Sequence, residues 1–327
     1  MLNVAIHGMG AWGSKLIDSV DGSSKIKFVC GITRSREKHQ EYADKKGIKL
    51  VTSFEAALAD KGIDAVVIAT PHSQHEAQVI AAAKAGKAIY VEKPLALTQA
   101  SAQRAVDAVK AAGVTMCIGF NRRYAPSFLE MMKRIKAGEI GQVLHVEGHH
   151  AGPTGFKLKA GGWRSTRVEA PAGGMTARGI HTLDSMLQAA GGLVTSLYAY
   201  SDHRAMAADI DMDDNTSMML KFSNGVTGYL GVCFVTGELY RVHVFGTKGW
   251  LEMRGDTELV SCALEGKPQR HTMDVVSKER AVLEAFADAV AAKAGFLVPA
   301  DQAVNEIAVL ESIEKSAKSG QPITIKT

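Results

Sequence analysis

Cysteine is scarce: Cys30, Cys117, Cys233 and Cys262 are far apart and form no CxxC pair. Three of them fall in apolar strand-like runs, which points to reduced, buried thiols rather than a disulfide framework. No run of five or more like charges occurs, and the 38 Lys and Arg residues exceed the 34 Asp and Glu residues by four. So mild an excess argues against a nucleic-acid partner and suits a small anionic ligand such as a phosphorylated cofactor. No apolar run approaches the ~20 residues that a membrane helix needs. The opening Met1-Leu2-Asn3-Val4-Ala5-Ile6 has no basic segment ahead of its apolar run. The expectation is therefore no membrane span, no signal peptide and a cytoplasmic location. No GxSxG nucleophile elbow is present. His145, His149 and His150 share one strand-like run, where adjacent residues point to opposite faces. Asp209, Asp211, Asp213 and Asp214 lack the Gly and terminal Glu of a calcium loop. No metal site is expected.

What is present is a regular alternation. The 327 residues suit two domains at ~150 residues each. From residue 2 to 119, apolar runs at 2–6, 27–32, 50–51, 65–69, 88–92 and 115–118 alternate with helical stretches. Those stretches are 12–20, 37–46, 53–61, one starting from a Ser73/Glu76 capping box and running to Lys84, and one capped by Thr98 that ends near Gly113. The runs carry no polar alternation, which predicts a parallel sheet covered on both faces, a doubly wound (Rossmann) domain. After Phe120 the rhythm changes. A helix at 127–136 precedes strand-like runs at 142–148, 193–201, 216–222, 226–234, 241–245 and 250–253. Ser223-Asn224-Gly225 predicts a hairpin with positive φ at both central residues, and Gly246-Thr247-Lys248-Gly249 a second tight turn. Helices are expected at 173–190, 278–293 and 301–318. The second half thus reads as an α+β domain with a large, open, mainly antiparallel sheet, and the boundary falls between 1–120 and 121–327.

Gly8-Met9-Gly10-Ala11-Trp12-Gly13 follows the first strand and opens a helix, the context in which GxGxxG holds a dinucleotide. Gly8 permits the turn, Gly10 lets the backbone approach the pyrophosphate, and Gly13 lets the helix pack on the strand. Ala11 and Trp12 begin the helix whose free N–H groups face the phosphates. The end of the second strand selects the ribose. It reads Thr33-Arg34-Ser35-Arg36, and no acid appears before Glu37. Hydroxyls and two guanidiniums suit a 2′-phosphate, so NADP is the expected cofactor, with NAD possible. Lys93, in Glu92-Lys93-Pro94 at the end of the fifth strand, is placed to meet the nicotinamide and a substrate hydroxyl.

Four segments together resemble the Gfo/Idh/MocA family of glucose-fructose oxidoreductase and inositol dehydrogenase. They are the Gly8–Gly13 loop, Ala69-Thr70-Pro71 with His75, Glu92-Lys93-Pro94, and Gly173-Gly174-Met175-Thr176-Ala177-Arg178-Gly179-Ile180-His181-Thr182-Leu183-Asp184. The resemblance implies hydride transfer at a carbinol or carbonyl carbon, mostly of sugars, polyols and cyclic diols. It also implies a homodimer or homotetramer built through the open sheet face. It assigns Thr70, Pro71, His72, His75 and Glu92 to the cofactor side, and Lys93 and His181 to catalysis. Arg122 and Tyr124, Trp163 and Arg164, and Thr176, Arg178 and His181 fall near the small-molecule substrate. The family's motif Asp, four residues before the His, is here Ala177. Arg178 beside it hints at a carboxylate-bearing substrate. Two rival readings stay open: a catalytically silent NADP-binding regulator, and a sugar-modifying enzyme whose bound nicotinamide recycles.

Overall fold

The structure, a computed structural model, describes residues 1–326. Its contacts divide the chain into two units. The first comprises residues 1–96, 100–121 and 277–300, and the second residues 97–99, 122–276 and 301–327.

In the first unit, β1 (Leu2–His7), β2 (Ile26–Ile32), β3 (Lys49–Val51), β4 (Ala65–Ile68), β5 (Ala88–Val91) and β6 (Met116–Ile118) alternate with helices. These are α1 (Ala11–Ser19), α2 (Gln40–Lys46), α3 (Phe54–Ala59), α4 (His75–Lys84) and α5 (Gln99–Ala112). The strands form one parallel sheet in the order β3-β2-β1-β4-β5-β6. Val4, Ala5 and Ile6 of β1 and all four residues of β4 are fully buried, which is why these strands read as unbroken apolar runs. The strand order reverses between β1 and β4, and ligands of such sheets bind beyond the carboxyl ends at that point. The pairing register leaves those ends level: Ile32, His7, Ile68 and Val91 stand side by side across four strands.

Two helix starts differ from the sequence pattern. The first turn of the 37–46 stretch, Glu37–His39, is a 3₁₀ turn. A 3₁₀ turn at His72–Gln74 precedes α4, which begins at His75, and the Glu76 carboxylate accepts from Arg104 Nε at 2.6 Å. Ser53 does cap α3, its hydroxyl accepting from the Ala56 N–H at 3.1 Å. The boundary at residue 120 is crossed twice, by residues 97–99, which fall in the second unit, and by residues 277–300, which fall in the first. Helix α8, Lys278–Ala291, belongs with the first sheet: Lys15 of α1 pairs with Glu279 at 2.7 Å, and Gly295 and Leu297 hydrogen-bond Met116 along β6. Nothing local in 278–297 marks that return.

The second unit holds α6 (Pro126–Lys136), β7 (Val143–Ala151), α7 (Ile180–Ala190), β8 (Val194–Asp202), β9 (Asn215–Phe222), β10 (Thr227–Cys233), β11 (Leu239–Gly246), β12 (Gly249–Arg254), β13 (Glu258–Ala263), β14 (Gln269–Thr272), α9 (Ala300–Ser319) and β15 (Ile323–Thr324). The sheet order is β14-β13-β12-β11-β7-β10-β9-β8-β15, antiparallel throughout except for β7 with β10. One face is buried by Val146, Met218, Leu220, Leu230, Val242 and Leu251. On the other, Tyr198, Met219, Tyr229, Glu147 and His243 form a half-exposed or exposed cross-strand row. His149 is half-exposed and His150 buried, as alternation requires. The sheet therefore has the open face expected, and β13 to β15 extend it beyond the runs seen in the sequence.

The 222–226 hairpin has three loop residues, and only Gly225 takes positive φ, at 88°. Asn224 instead uses its side chain, donating to Ala190 O at 2.7 Å and accepting from Val226 N at 3.3 Å. A turn closed by one left-handed glycine meets the geometry without a second one. The helix expected over 173–190 begins as a π-helical turn, Met175–Gly179, before α7 continues it.

Candidate active site

The glycine loop behaves as three different glycines. Gly8 has φ of 104°, and a β-carbon there would lie 2.5 Å from Ala69 O. A β-carbon on Gly13 would lie 2.0 Å from Gly8 O. Both glycines are demanded by the protein's own packing. Gly10 is not: its backbone is extended, φ −69° and ψ −174°, and nothing lies within 4 Å of its would-be β-carbon. It caps α1 without a side-chain hydrogen bond, leaving the first N–H groups of a nine-residue helix facing open space. An open approach at Gly10 and an uncapped, positive helix end are what a pyrophosphate needs. Gly10→Ala is expected to leave Tm nearly unchanged, within about 0.5 kcal/mol of stability. It is expected to weaken NADPH binding roughly tenfold or more, a loss of about 1.4 kcal/mol. Titration calorimetry reads both the binding and, by scanning, the stability; unchanged affinity places the pyrophosphate elsewhere.

Thr33, Gly8, Ala69 and Glu92 begin the loops that leave the level strand ends. Thr33 Oγ1 accepts from Ser35 N at 3.2 Å, and Thr33 N donates to Val51 O at 3.1 Å, which fixes the start of the Thr33–Arg36 segment. Arg34, Ser35 and Arg36 are exposed. The charge of Arg34 contributes to the low basicity of His7. His7, the last residue of β1, stacks on Phe54 with centroids 4.7 Å apart. Burial lowers its pKa to about 4, Glu55 opposes this and Arg34 adds to it, so the ring is neutral. Its Nδ1 is buried with no hydrogen-bond partner among the described residues. The sequence reading passed over His7 because its place in an apolar strand signals only packing.

At the end of β4, Thr70 is buried and its hydroxyl donates to Gln78 Oε1 at 2.6 Å. Pro71 and His72 follow on the turn into α4. His75, expected on the cofactor, is fully buried, and its ring bridges the carbonyl oxygens of Pro94 at 2.8 Å and Thr70 at 3.0 Å. It positions the loop that carries Lys93 and offers no face to a ligand. Glu92 is likewise buried. Burial pushes its pKa up, while the Trp12 indole, the Lys93 ammonium and the Tyr90 hydroxyl, which donates to it at 3.2 Å, hold it down. It supports the loop from beneath, and Lys93 beside it is half-exposed. Trp12 lies under Lys15, whose Nζ is 4.8 Å from the indole centroid.

In the second unit, His181 is half-exposed in the first turn of α7, and Ser185 Oγ donates to its carbonyl at 3.0 Å. Three of the residues expected to touch substrate are engaged elsewhere. Arg122 pairs with Asp256 at 3.0 Å and covers the Tyr240 ring, its guanidinium carbon 3.9 Å from the centroid. Thr176 is fully buried and its hydroxyl accepts from Ala172 N at 3.1 Å. Arg178 donates to Glu238 at 2.9 and 3.1 Å and to Ala151 O at 3.2 Å. In this pair the Arg178 side chain is 24% exposed and that of Glu238 57%. Tyr124 is half-exposed, and Trp163 carries Arg164 over its ring at 4.1 Å.

Next to Arg122, Arg123 forms a bidentate pair with the fully buried Asp184 of α7. Gln302 Nε2 donates to Asp184 Oδ1 at 3.1 Å and to Glu306 Oε1 at 3.0 Å. Burial and the Asp184 charge push the Glu306 carboxyl well above the usual carboxylate range. It packs against Asp184 of the helix that carries His181.

A doubly wound sheet with an open glycine cradle, and a Lys at the end of its fifth strand, defines a dinucleotide-dependent oxidoreductase. Residues 2–120 match the sequence profile of the Gfo/Idh/MocA oxidoreductase family, NAD-binding Rossmann fold, and residues 128–252 match the GFO/IDH/MocA C-terminal domain. The chain is similar to scyllo-inositol 2-dehydrogenase (NAD(+)) of Bacillus subtilis (strain 168). The two are 31% identical over 257 residues, 75% of this chain and 71% of that protein. It is 29% identical to the 1,5-anhydro-D-fructose reductase of Ensifer adhaerens over 92% of each chain. The fold matches levoglucosan dehydrogenase in complex with NADH and levoglucosan at a TM-score of 0.89, with 22% identity, over 100% of this chain and 99% of that one. The chain belongs to the Gfo/Idh/MocA family, and it is a nicotinamide-dependent oxidoreductase. No helix among the described residues is long and apolar enough to cross a membrane.

Proposed function

We propose that the protein is an NADP-dependent dehydrogenase or reductase of a small sugar-like or cyclic alcohol, with Lys93 and His181 as its proton-handling residues. The observation that carries this reading is the set of level strand ends. These put the Gly10 opening, the Thr33–Arg36 segment and Lys93 on one edge of one sheet. The names of the relatives, an inositol dehydrogenase and an anhydrofructose reductase, support a polyhydroxylated or cyclic substrate class.

A bound nicotinamide supplies or takes up the hydride. The chain's own residues handle the oxygen and its proton. Lys93 Nζ has three N–H donors with which to hold the substrate oxygen as negative charge develops on it. His181 takes the hydroxyl proton during oxidation and returns it during reduction. His75 and Glu92 keep the Lys93 loop in place. Arg34 and Arg36 bind the 2′-phosphate through charge-assisted hydrogen bonds, in a segment that has no acid to repel it.

The cofactor preference has its own test. Replacing Arg34 and Arg36 together by Ala is expected to raise KM for NADPH by roughly 10–100-fold, the worth of hydrogen bonds between charged groups, while KM for NADH changes little. A wild-type kcat/KM that favours NADH over NADPH rules the preference out.

A further inference from the structure

His7 closes β1 immediately before Gly8, and the chemistry proposed above makes no use of it. The pairing register sets it between Ile32 of β2 and Ile68 of β4, at the point where the sheet order reverses. Thr33, the residue after Ile32, opens the segment where folds of this kind read the adenosine ribose. Neighbouring strands lie about 4.8 Å apart, so His7 stands one strand spacing from that segment. The Gly8 N–H donates to Ile32 O at 3.3 Å and the Ala69 N–H to His7 O at 2.8 Å, which pins the backbone around it. The ring is held too, stacked on Phe54 of α3 with the planes 30° apart. Its Nδ1 is buried without a hydrogen-bond partner while the residue is half-exposed, so the open edge of the ring carries Nε2. Buried N–H groups without an acceptor are rare, and buried acceptors short of a donor less so. The neutral ring therefore keeps its proton on Nε2. The charged groups around it are Arg34 and Glu55, and the Glu55 carboxylate accepts from Ser53 Oγ at 2.8 Å.

We infer that His7 is a further cofactor residue, its Nε2–H donating to the oxygen on C2′ of the adenosine ribose. The inference rests on the dinucleotide lying over the Gly8–Gly13 loop, and it adds a contact outside that loop and outside the Thr33–Arg36 segment. A carboxylate at this place accepts from a 2′-hydroxyl and repels a 2′-phosphate. An uncharged N–H donates to either oxygen, and more strongly to the phosphate.

The test compares NADH with NADPH, which differ only at that oxygen. Calorimetry gives the dissociation constants, and NMR of nitrogen-labelled histidine reads the ring. The free protein is expected to show a bare Nδ1 and a protonated Nε2, and saturating NADPH to shift Nε2 more than Nδ1. His7→Phe keeps a ring against Phe54 and removes the donor. It is expected to weaken NADPH binding roughly tenfold, the worth of a hydrogen bond to a charged group. His7→Gln, whose amide N–H reaches the place of Nε2, is expected to stay within about threefold of wild type. A loss confined to NADPH assigns the acceptor to a phosphate oxygen, and a loss shared by NADH assigns it to the ribose oxygen itself. Unchanged affinity for both cofactors in His7→Phe, an equal loss in His7→Gln, or a proton on Nδ1 overturns the inference. Tighter binding of NADH than NADPH by the wild type counts against the NADP preference alone, and His7 is then judged on NADH.

Discussion

Lys93→Met and His181→Ala are each expected to lower kcat by roughly 10²-fold or more, the usual worth of a positioned acid–base group, while leaving the NADPH dissociation constant within about threefold. Met matches the length and apolar stem of Lys and removes only the ammonium, so His75 still bridges Thr70 and Pro94 beneath the loop. His181 is half-exposed and its main-chain carbonyl carries the contact from Ser185, which a side-chain truncation leaves intact. Loss of rate without loss of cofactor affinity is the signature of groups that act on the reacting oxygen. The pH profile separates the two roles. With His181 as the base, the pH-dependent limb of the wild-type oxidation rate disappears in His181→Ala. Near-normal turnover in both variants would remove these residues from the reaction.

The second large effect concerns stability. Asp184→Ala withdraws a carboxylate from Arg123 at a site where the two side chains are 1% and 13% exposed. Breaking a buried ion pair from one side costs roughly 3–5 kcal/mol. Glu306→Gln is expected to do the opposite. The folded-state pKa of Glu306 lies above its unfolded value of ~4.3. The native state therefore holds a proton that the unfolded chain releases, and stability falls as pH rises from ~4.3 toward the folded pKa. Gln is the uncharged isostere of the protonated acid and still bonds Gln302. The Tm gap between variant and wild type should be near zero at about pH 4 and widen in favour of the variant through neutral and alkaline pH. The double variant should be worse than the sum of the single effects, because Glu306 can ionise and serve Arg123 when Asp184 is gone. Denaturation at two pH values checks all three; a Glu306→Gln protein less stable than wild type at pH 8 contradicts the protonated state.

The contrast between what was legible and what was not follows the range of the interactions. The glycine loop, the alternating strands and the antiparallel second sheet are written in periodicity and local turn chemistry, and they stand where the sequence places them. The packing demands on Gly8 and Gly13 were also legible, since a β-carbon on either would strike backbone. The partners of charged side chains were not. Arg122 meets Asp256 from 134 residues away and Arg178 meets Glu238 from 60, and no local pattern distinguishes such an Arg from one that waits for a substrate. The π turn at Met175–Gly179 has no composition that sets it apart from an α turn. The return of α8 to the first sheet brings Glu279 to Lys15 across 264 residues, a pairing that no local pattern marks.

The account turns on hydride transfer between a small alcohol and a nicotinamide held by the Gly8–Gly13 loop. The most direct measurement incubates the protein with NADP and a panel of polyols, cyclic diols and hydroxy acids, each deuterated at its carbinol carbon. The nicotinamide is then examined by mass spectrometry. The account predicts deuterium on the reduced cofactor with at least one alcohol, and its loss in Lys93→Met. Tight NADP binding with no deuterium transferred from any member of the panel would contradict it and leave a cofactor-binding protein without this chemistry.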